Sequence, residues 1–166
     1  MRTIWLTLLL VPALAASARA EPDHYIAGGA MLGIDHAFDA VATLEGGERL
    51  GPGTWLHGIL ETGTSAGIDE ATESGEYFAA RAGLEWHIAI GTRDIVELVP
   101  GVDLGVRHYA YMADDDAASG ISPVAIGRLG FDIGSRALRF RPGLEVSFDD
   151  QGFTGINANA ALAYRW

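Results

Sequence analysis

The sequence is 166 residues long and carries 22 acidic against 11 basic side chains, a formal charge of -11, with no cysteine. So acidic a chain is a poor match for a phosphate backbone, which argues against nucleic acid as a partner. The missing thiols exclude a disulfide framework, a thiolate metal site and a lipid-anchored cysteine, and the length suits one domain.

The first twenty residues are a separate object. Arg2 gives a short positive start, Ile4 to Ala16 is an almost unbroken apolar run, and Ala18-Arg19-Ala20 has the small-x-small form of a cleavage site. Residues 1–20 therefore read as a secretory signal peptide. The apolar run is shorter than the ~20 residues that a membrane-crossing helix needs. From 21 to 166 no 3.6-residue stripe is sustained, and period two dominates, as in strands with one apolar and one polar face.

Tyr25 to Ile34 is the first candidate strand, with Ile26, Ala30, Leu32 and Ile34 on one side. Phe38 to Leu50 sets Phe38, Ala40, Ala42 and Leu44 opposite Asp39, Thr43, Glu45, Gly47 and Arg49, and Gly51-Pro52-Gly53 then makes a tight turn. Thr54 to Thr64 places Leu56, Gly58 and Leu60 against Trp55, His57, Ile59 and Glu61; Ser65 to Gly75 reads as an acidic loop. In Glu76 to Ile90, Phe78, Ala80, Ala82, Leu84, Trp86 and Ile88 alternate with Tyr77, Ala79, Arg81, Gly83, Glu85 and His87. Ile95 to Tyr111 follows a short turn, and Met112 to Gly120, carrying Asp114-Asp115-Asp116, is expected to be a loop. Ile121 to Gly134 and Ala137 to Phe148 are joined by a turn at Ser135-Arg136. Pro100 and Pro142 fall inside candidate strands. Each removes a ladder donor, so both are expected at bulges or near strand ends.

Gly152 to Trp166 alternates most strictly, with Ile156, Ala158, Ala160, Leu162, Tyr164 and Trp166 against Gly155, Asn157, Asn159, Ala161, Ala163 and Arg165. An aromatic last residue preceded by apolar residues at alternate positions, here Leu162, Tyr164 and Trp166, resembles the C-terminal insertion signal of bacterial outer-membrane β-barrels. With eight strands, and an even number leaving both ends on one side, residues 21–166 resemble the small outer-membrane barrels typified by the OmpA transmembrane domain and OmpX. The resemblance implies an all-β fold, an eight-stranded antiparallel up-and-down transmembrane β-barrel. It also implies outer-membrane lipid as surroundings, recognition by the barrel-assembly machinery through the C-terminal strand, and a non-enzymatic structural or surface role. The short turns would face the periplasm and the acidic loops the outside.

Alternation alone does not say which face is inside. The polar face mixes Arg81, Glu85, Glu97, Asp103, Arg107, Arg128, Asp132, Arg139, Arg141, Glu145 and Arg165 with many glycines. Small residues among opposite charges suit the interior of a narrow barrel, in which buried charges must pair. The alternative is a soluble periplasmic lipocalin-like barrel, with the apolar face lining a ligand cavity. A third reading, a lipid A-modifying barrel enzyme, needs a serine with a histidine base in reach; no histidine has a serine two residues on, and Ser147 beside Glu145 reads as interior packing. His24, His36, His57, His87 and His108 show no metal-ligand spacing. The acidic loops match no calcium motif. No cofactor, catalytic residue or metal site is expected.

Overall fold

The computed structural model describes residues 22–33, 40–65, 75–91, 95–113, 116–150 and 152–166. The expected signal peptide, Ile34, Phe38, Asp69, Glu70, Glu73, Asp114 and Asp115 lie outside them. The described residues form strands and no helix: β1 (His24–Gly33), β2 (Ala40–Gly51), β3 (Thr54–Ser65), β4 (Gly75–Trp86), β5 (Ile88–Ala89), β6 (Val96–Ala113), β7 (Asp116–Gly134), β8 (Leu138–Asp149) and β9 (Gly152–Arg165). The two-residue β5 continues β4 past His87 in the same register against β6, so the wall has eight strands. Each strand pairs antiparallel with its sequence neighbour, and β1 pairs with β9 from Tyr25↔Arg165 to Gly33↔Asn157, which closes the barrel. Closure runs to the last residue: the Trp166 carbonyl accepts from the Asp23 and His24 amides at 3.1 and 3.2 Å, and the Trp166 amide donates to His24 at 3.0 Å.

Period two in the sequence becomes inside and outside in the barrel because successive strand side chains point to opposite faces. Tyr25, Ala27 and Met31 are buried while Ile26 and Leu32 are about half exposed; Trp55, His57, Ile59 and Glu61 are buried while Leu56 and Leu60 are not. Trp55 packs inside between Tyr25 and His87, with ring centroids 5.5 and 5.4 Å away. The outer wall is predominantly apolar, with Glu48 pointing outward near the end of β2. No outward position carries a charge from Ile26 to Leu32, Leu56 to Leu60, Phe78 to Ile88, Val96 to Val106, Ile121 to Ile133, Leu138 to Phe148, or Ile156 to Tyr164. Leu104 is 72% exposed and Ile121 75%.

Two expectations need correction. The described residues of the stretch 112–120 are strand and not loop: β6 runs on to Ala113, β7 starts at Asp116, and the two stay paired from Val96↔Ile133 to Ala113↔Asp116. Ladder hydrogen bonds between strands already aligned outweigh the weak strand preference of Asp116. Because β8 pairs with β7 only from Ala125 onward, this hairpin stands clear of β8 at its far end. The prolines are also placed differently. Pro100 and Pro142 lie within β6 and β8, with no bulge at either. Beside each, one ladder lapses without losing register. Trp86 and His87 have no partner between Glu85↔Gly101 and Ile88↔Leu98, and Phe131 and Asp132 none between Gly130↔Gly143 and Ile133↔Phe140. A bulge does occur at Ser147/Phe148, where the pairing steps from Ser147↔Gly155 to Phe148↔Phe153. The extra residue turns Phe153 outward, against the edge of the Phe148 ring at 6.0 Å.

Inward glycines make room for large interior groups. The Tyr25 ring lies where a Gly47 side chain would be, with Cζ 2.6 Å from an ideal Cβ, while outward Gly28 has nothing within 4 Å. Gly47→Ala is therefore expected to destabilise the barrel by about 1–3 kcal/mol through overpacking, and Gly28→Ala to change stability by less than about 0.5 kcal/mol. Urea unfolding of both variants in detergent checks this; equal midpoints would refute the packing of Tyr25 over Gly47.

Candidate functional site

The inner face concentrates ionisable side chains that the strands hold in three tiers. Nearest the end where β1 begins and β9 finishes, the Arg165 guanidinium reaches Asp132 Oδ2 at 2.5 Å and Glu97 Oε2 at 2.8 Å. Arg139 donates to Glu97 Oε1 at 3.2 Å and to the Ile95 carbonyl at 3.1 Å. His87 lies between Glu97, 2.7 Å from Nδ1, and Glu85, 2.9 Å from Nε2. In the middle tier Arg141 donates to Glu85 at 2.7 Å and approaches Glu45 at 3.3 Å, while Arg128 lies 3.2 Å from Glu45 and 3.4 Å from Glu145. His57 presents Nε2 to Asp103 at 2.5 Å and Nδ1 to Glu85 at 3.1 Å. With carboxylates at both ring nitrogens, this is the arrangement of an imidazolium donating twice. Above it, Arg81 meets Glu61 at 2.5 Å, Glu145 at 2.8 Å and Asp103 at 3.0 Å.

These contacts cross the lumen. Arg81 on β4 reaches Glu145 on β8, Arg128 on β7 reaches Glu45 on β2, and Arg165 on β9 reaches Glu97 on β6. From β1, the Tyr25 hydroxyl donates to Glu45 at 2.6 Å while the Arg141 guanidinium lies 4.7 Å above its ring. Five guanidiniums (Arg81, Arg128, Arg139, Arg141, Arg165) and two imidazoles face seven carboxylates (Glu45, Glu61, Glu85, Glu97, Asp103, Asp132, Glu145). Glu61, Glu85, Asp103, Asp132 and Glu145 are fully enclosed. Such enclosure is tolerated only with partners for each charge. Arg107 stands apart, paired with partly exposed Asp149 at 3.1 Å.

The eleven charges expected inside from the sequence do not include Glu45, Glu61, His57, His87, Tyr25 or Tyr77, whose hydroxyl donates to Glu61 at 2.8 Å. All six sit at inward positions, so parity was the signal that could have included them. The histidines are within reach of carboxylates: Glu45, His57 and Glu85 offer ligand atoms close together, as do His87, Glu97 and Asp132. In both groups arginine already occupies the space. Arg165 Nη2 lies 2.7 Å from His87 Nδ1, and Arg128 Nη1 3.3 Å from both ring nitrogens of His57. Ser147 has no base beside it among the described residues: its hydroxyl accepts from Thr154 at 2.9 Å and donates to the Gly155 carbonyl at 3.4 Å. Leu162 and Trp166 point outward, and Tyr164 stacks on Trp166 with 5.9 Å between centroids.

No family model and no curated protein sequence matches the chain. Its fold does match solved structures. Neisserial surface protein A (NspA) superposes with a TM-score of 0.64 at 9% identity, covering 87% of this chain and 95% of the other. Ail, the attachment invasion locus protein of Yersinia pestis, gives 0.59 at 12% identity, covering 89% and 100%. The N-terminal β-barrel domain of Pseudomonas aeruginosa OprF gives 0.59 at 16% identity, covering 88% and 98%. The chain thus has the fold of the small eight-stranded outer-membrane barrels.

Proposed function

We propose that this chain is an integral outer-membrane β-barrel that is not an enzyme, exported by its N-terminal signal and acting as a structural or surface-presenting element of the envelope. The observation that carries this is the separation of charge across one wall: a predominantly apolar band outside, and a paired ionic cluster inside. In water such a surface would be a large exposed apolar patch, which soluble monomers rarely tolerate. In a bilayer it is the expected outer face of a closed barrel whose backbone groups are all satisfied internally. The soluble lipocalin-like alternative needs the reverse arrangement, a greasy lumen beneath a charged exterior. Enclosed charges filling the middle of the lumen leave a substrate or ion no continuous path among the described residues.

Fractionation of cells expressing the full chain is expected to recover it in outer membranes, and unheated samples to migrate differently from boiled ones in detergent gels. Recovery as a soluble periplasmic protein with no mobility difference would overturn the assignment.

The interior cluster, in this reading, staples opposite strands together. Removing Arg81 takes the guanidinium from enclosed Glu61 and one partner each from Asp103 and Glu145, so Arg81→Met is expected to cost about 3–5 kcal/mol, whereas Arg107→Gln, losing one partly exposed pair, costs no more than about 1 kcal/mol. Equilibrium unfolding in detergent measures both, and similar losses would contradict the staple. The outward Leu162, Tyr164 and Trp166 form the proposed recognition edge for the assembly machinery. Trp166→Ala keeps the backbone bonds that close the barrel, so it should refold normally in detergent yet accumulate less in the outer membrane. Equal accumulation would dismiss that role.

A further inference from the structure

At the end where β1 begins and β9 finishes, the lumen opens into a cavity of about 210 Å³ that is accessible to solvent. Four of the eleven arginines in the chain line it: Arg49 from the end of β2, Arg136 from the β7–β8 turn, Arg139 from β8 and Arg165 from β9. Glu97 is the one carboxylate among its lining residues, and Trp55 forms a wall. Arg139 and Arg165 share Glu97 and Asp132, and the Arg165 guanidinium is further fixed 5.5 Å above the Trp55 ring. Arg49 donates Nε to the Gly51 carbonyl at 3.3 Å, and Arg136 stands exposed in its turn. Four arginines therefore gather among the described residues of this mouth, in a protein whose formal charge is -11. Such concentration against the overall sign attracts anions, because a concave low-dielectric wall focuses the local field.

We propose that this mouth is a binding site for a phosphate group. Guanidinium forks match the oxygens of phosphate in shape and charge. Arg49 and Arg136 approach from different strands than Arg139 and Arg165, which suits a tetrahedral anion carrying several acceptors. The cavity is smaller than the ~300 Å³ at which sites for drug-sized ligands begin, so it takes a phosphate with a short substituent. Two sources supply that chemistry: a small soluble phosphate ester, or the headgroup of a phospholipid beside the rim. The site stands on the geometry of the cavity and does not require the orientation or the envelope role proposed above.

Calorimetric titration of inorganic phosphate into the full barrel, refolded in a phosphate-free non-ionic detergent at constant ionic strength, tests the site. Saturable binding is expected, with chloride at equal ionic strength giving none. Arg136→Gln, an exposed turn position that leaves the ionic cluster alone, is expected to weaken binding about tenfold, the loss of one charge-assisted contact. Arg49→Gln with Arg136→Gln should abolish it while heat-dependent gel mobility shows the barrel still folded. Repeating the titration in phospholipid bilayers separates the sources: unchanged affinity points to a soluble ester, and competition by the bilayer points to a headgroup. Absence of saturable phosphate binding in detergent, or undiminished binding by the folded double variant, would overturn the proposal.

Discussion

A guanidinium leaves water at a cost that only carboxylates leaving with it can offset, and this constraint organises the inside of the barrel. Arg81 would be untenable with one partner on a neighbouring strand; it has three, on β3, β6 and β8. Glu61 and Asp103 come from the two strands flanking β4, but Glu145 comes from across the lumen, so the full set of partners exists only when the sheet has closed. The ionic cluster therefore contributes less by gross attraction than by selectivity. An open sheet, or one closed in a shifted register, would expose or strand enclosed carboxylates such as Glu85 and Asp132. A slip of one residue would turn every charge to the outside and every leucine inward.

The backbone obeys a second constraint. A closed wall has no edge on which to place a residue lacking an amide proton. Pro100 and Pro142 are accommodated by local lapses of one ladder, with register resuming on the far side. The cost at Pro100 is partly met by side chains: His87, at the lapse, has both ring nitrogens against carboxylates. Arg141, at the lapse beside Pro142, lies against Glu45, Glu85 and Asp132. Where the ladder is weakest, the ionic cluster supplies contacts. Separately, Phe153 reaches the outer face only because a bulge inserts one residue at Ser147/Phe148, a deviation that strict alternation could not have announced.

The wall was legible in the sequence because its signal is local. Alternation over ten residues decides which side chains turn inward, and the odd-numbered set of β1 to β6, with Trp55 and His57 in it, could be read without knowing any neighbour. The even-numbered inward set of β7, from Ser122 to Asp132, follows in the same way. The contacts inside were not legible. Arg128 and Glu45 are 83 residues apart, and His57 and Asp103 are 46 apart; their meeting depends on the stagger of the closed sheet, which no single strand encodes. The histidines show the same limit. Neither His57 nor His87 has metal-like spacing in sequence, yet closure gathers carboxylates around both. The stretch up to Asp116 departs from the expected loop for a different reason: acidic residues usually solvate a loop, but here pairing between β6 and β7 continues out to Ala113↔Asp116.

The lumen is graded from end to end, and the grading bears on what the molecule can do. Beyond the ionic middle, Met31, Val41, Val124 and Ile126 are buried apolar groups, while the opposite mouth opens into the arginine-lined cavity. A water-filled path would need the charges of the middle tier to separate, and each separation would strand a carboxylate in a dry environment. Opening is therefore disfavoured where the cluster is densest. What remains available for interaction is the two ends. One carries the arginine-lined cavity, and the other carries the far part of the β6–β7 hairpin beyond the reach of β8. A rigid, filled cylinder suits that division, because it can hold two chemically different ends a fixed distance apart while passing nothing between them.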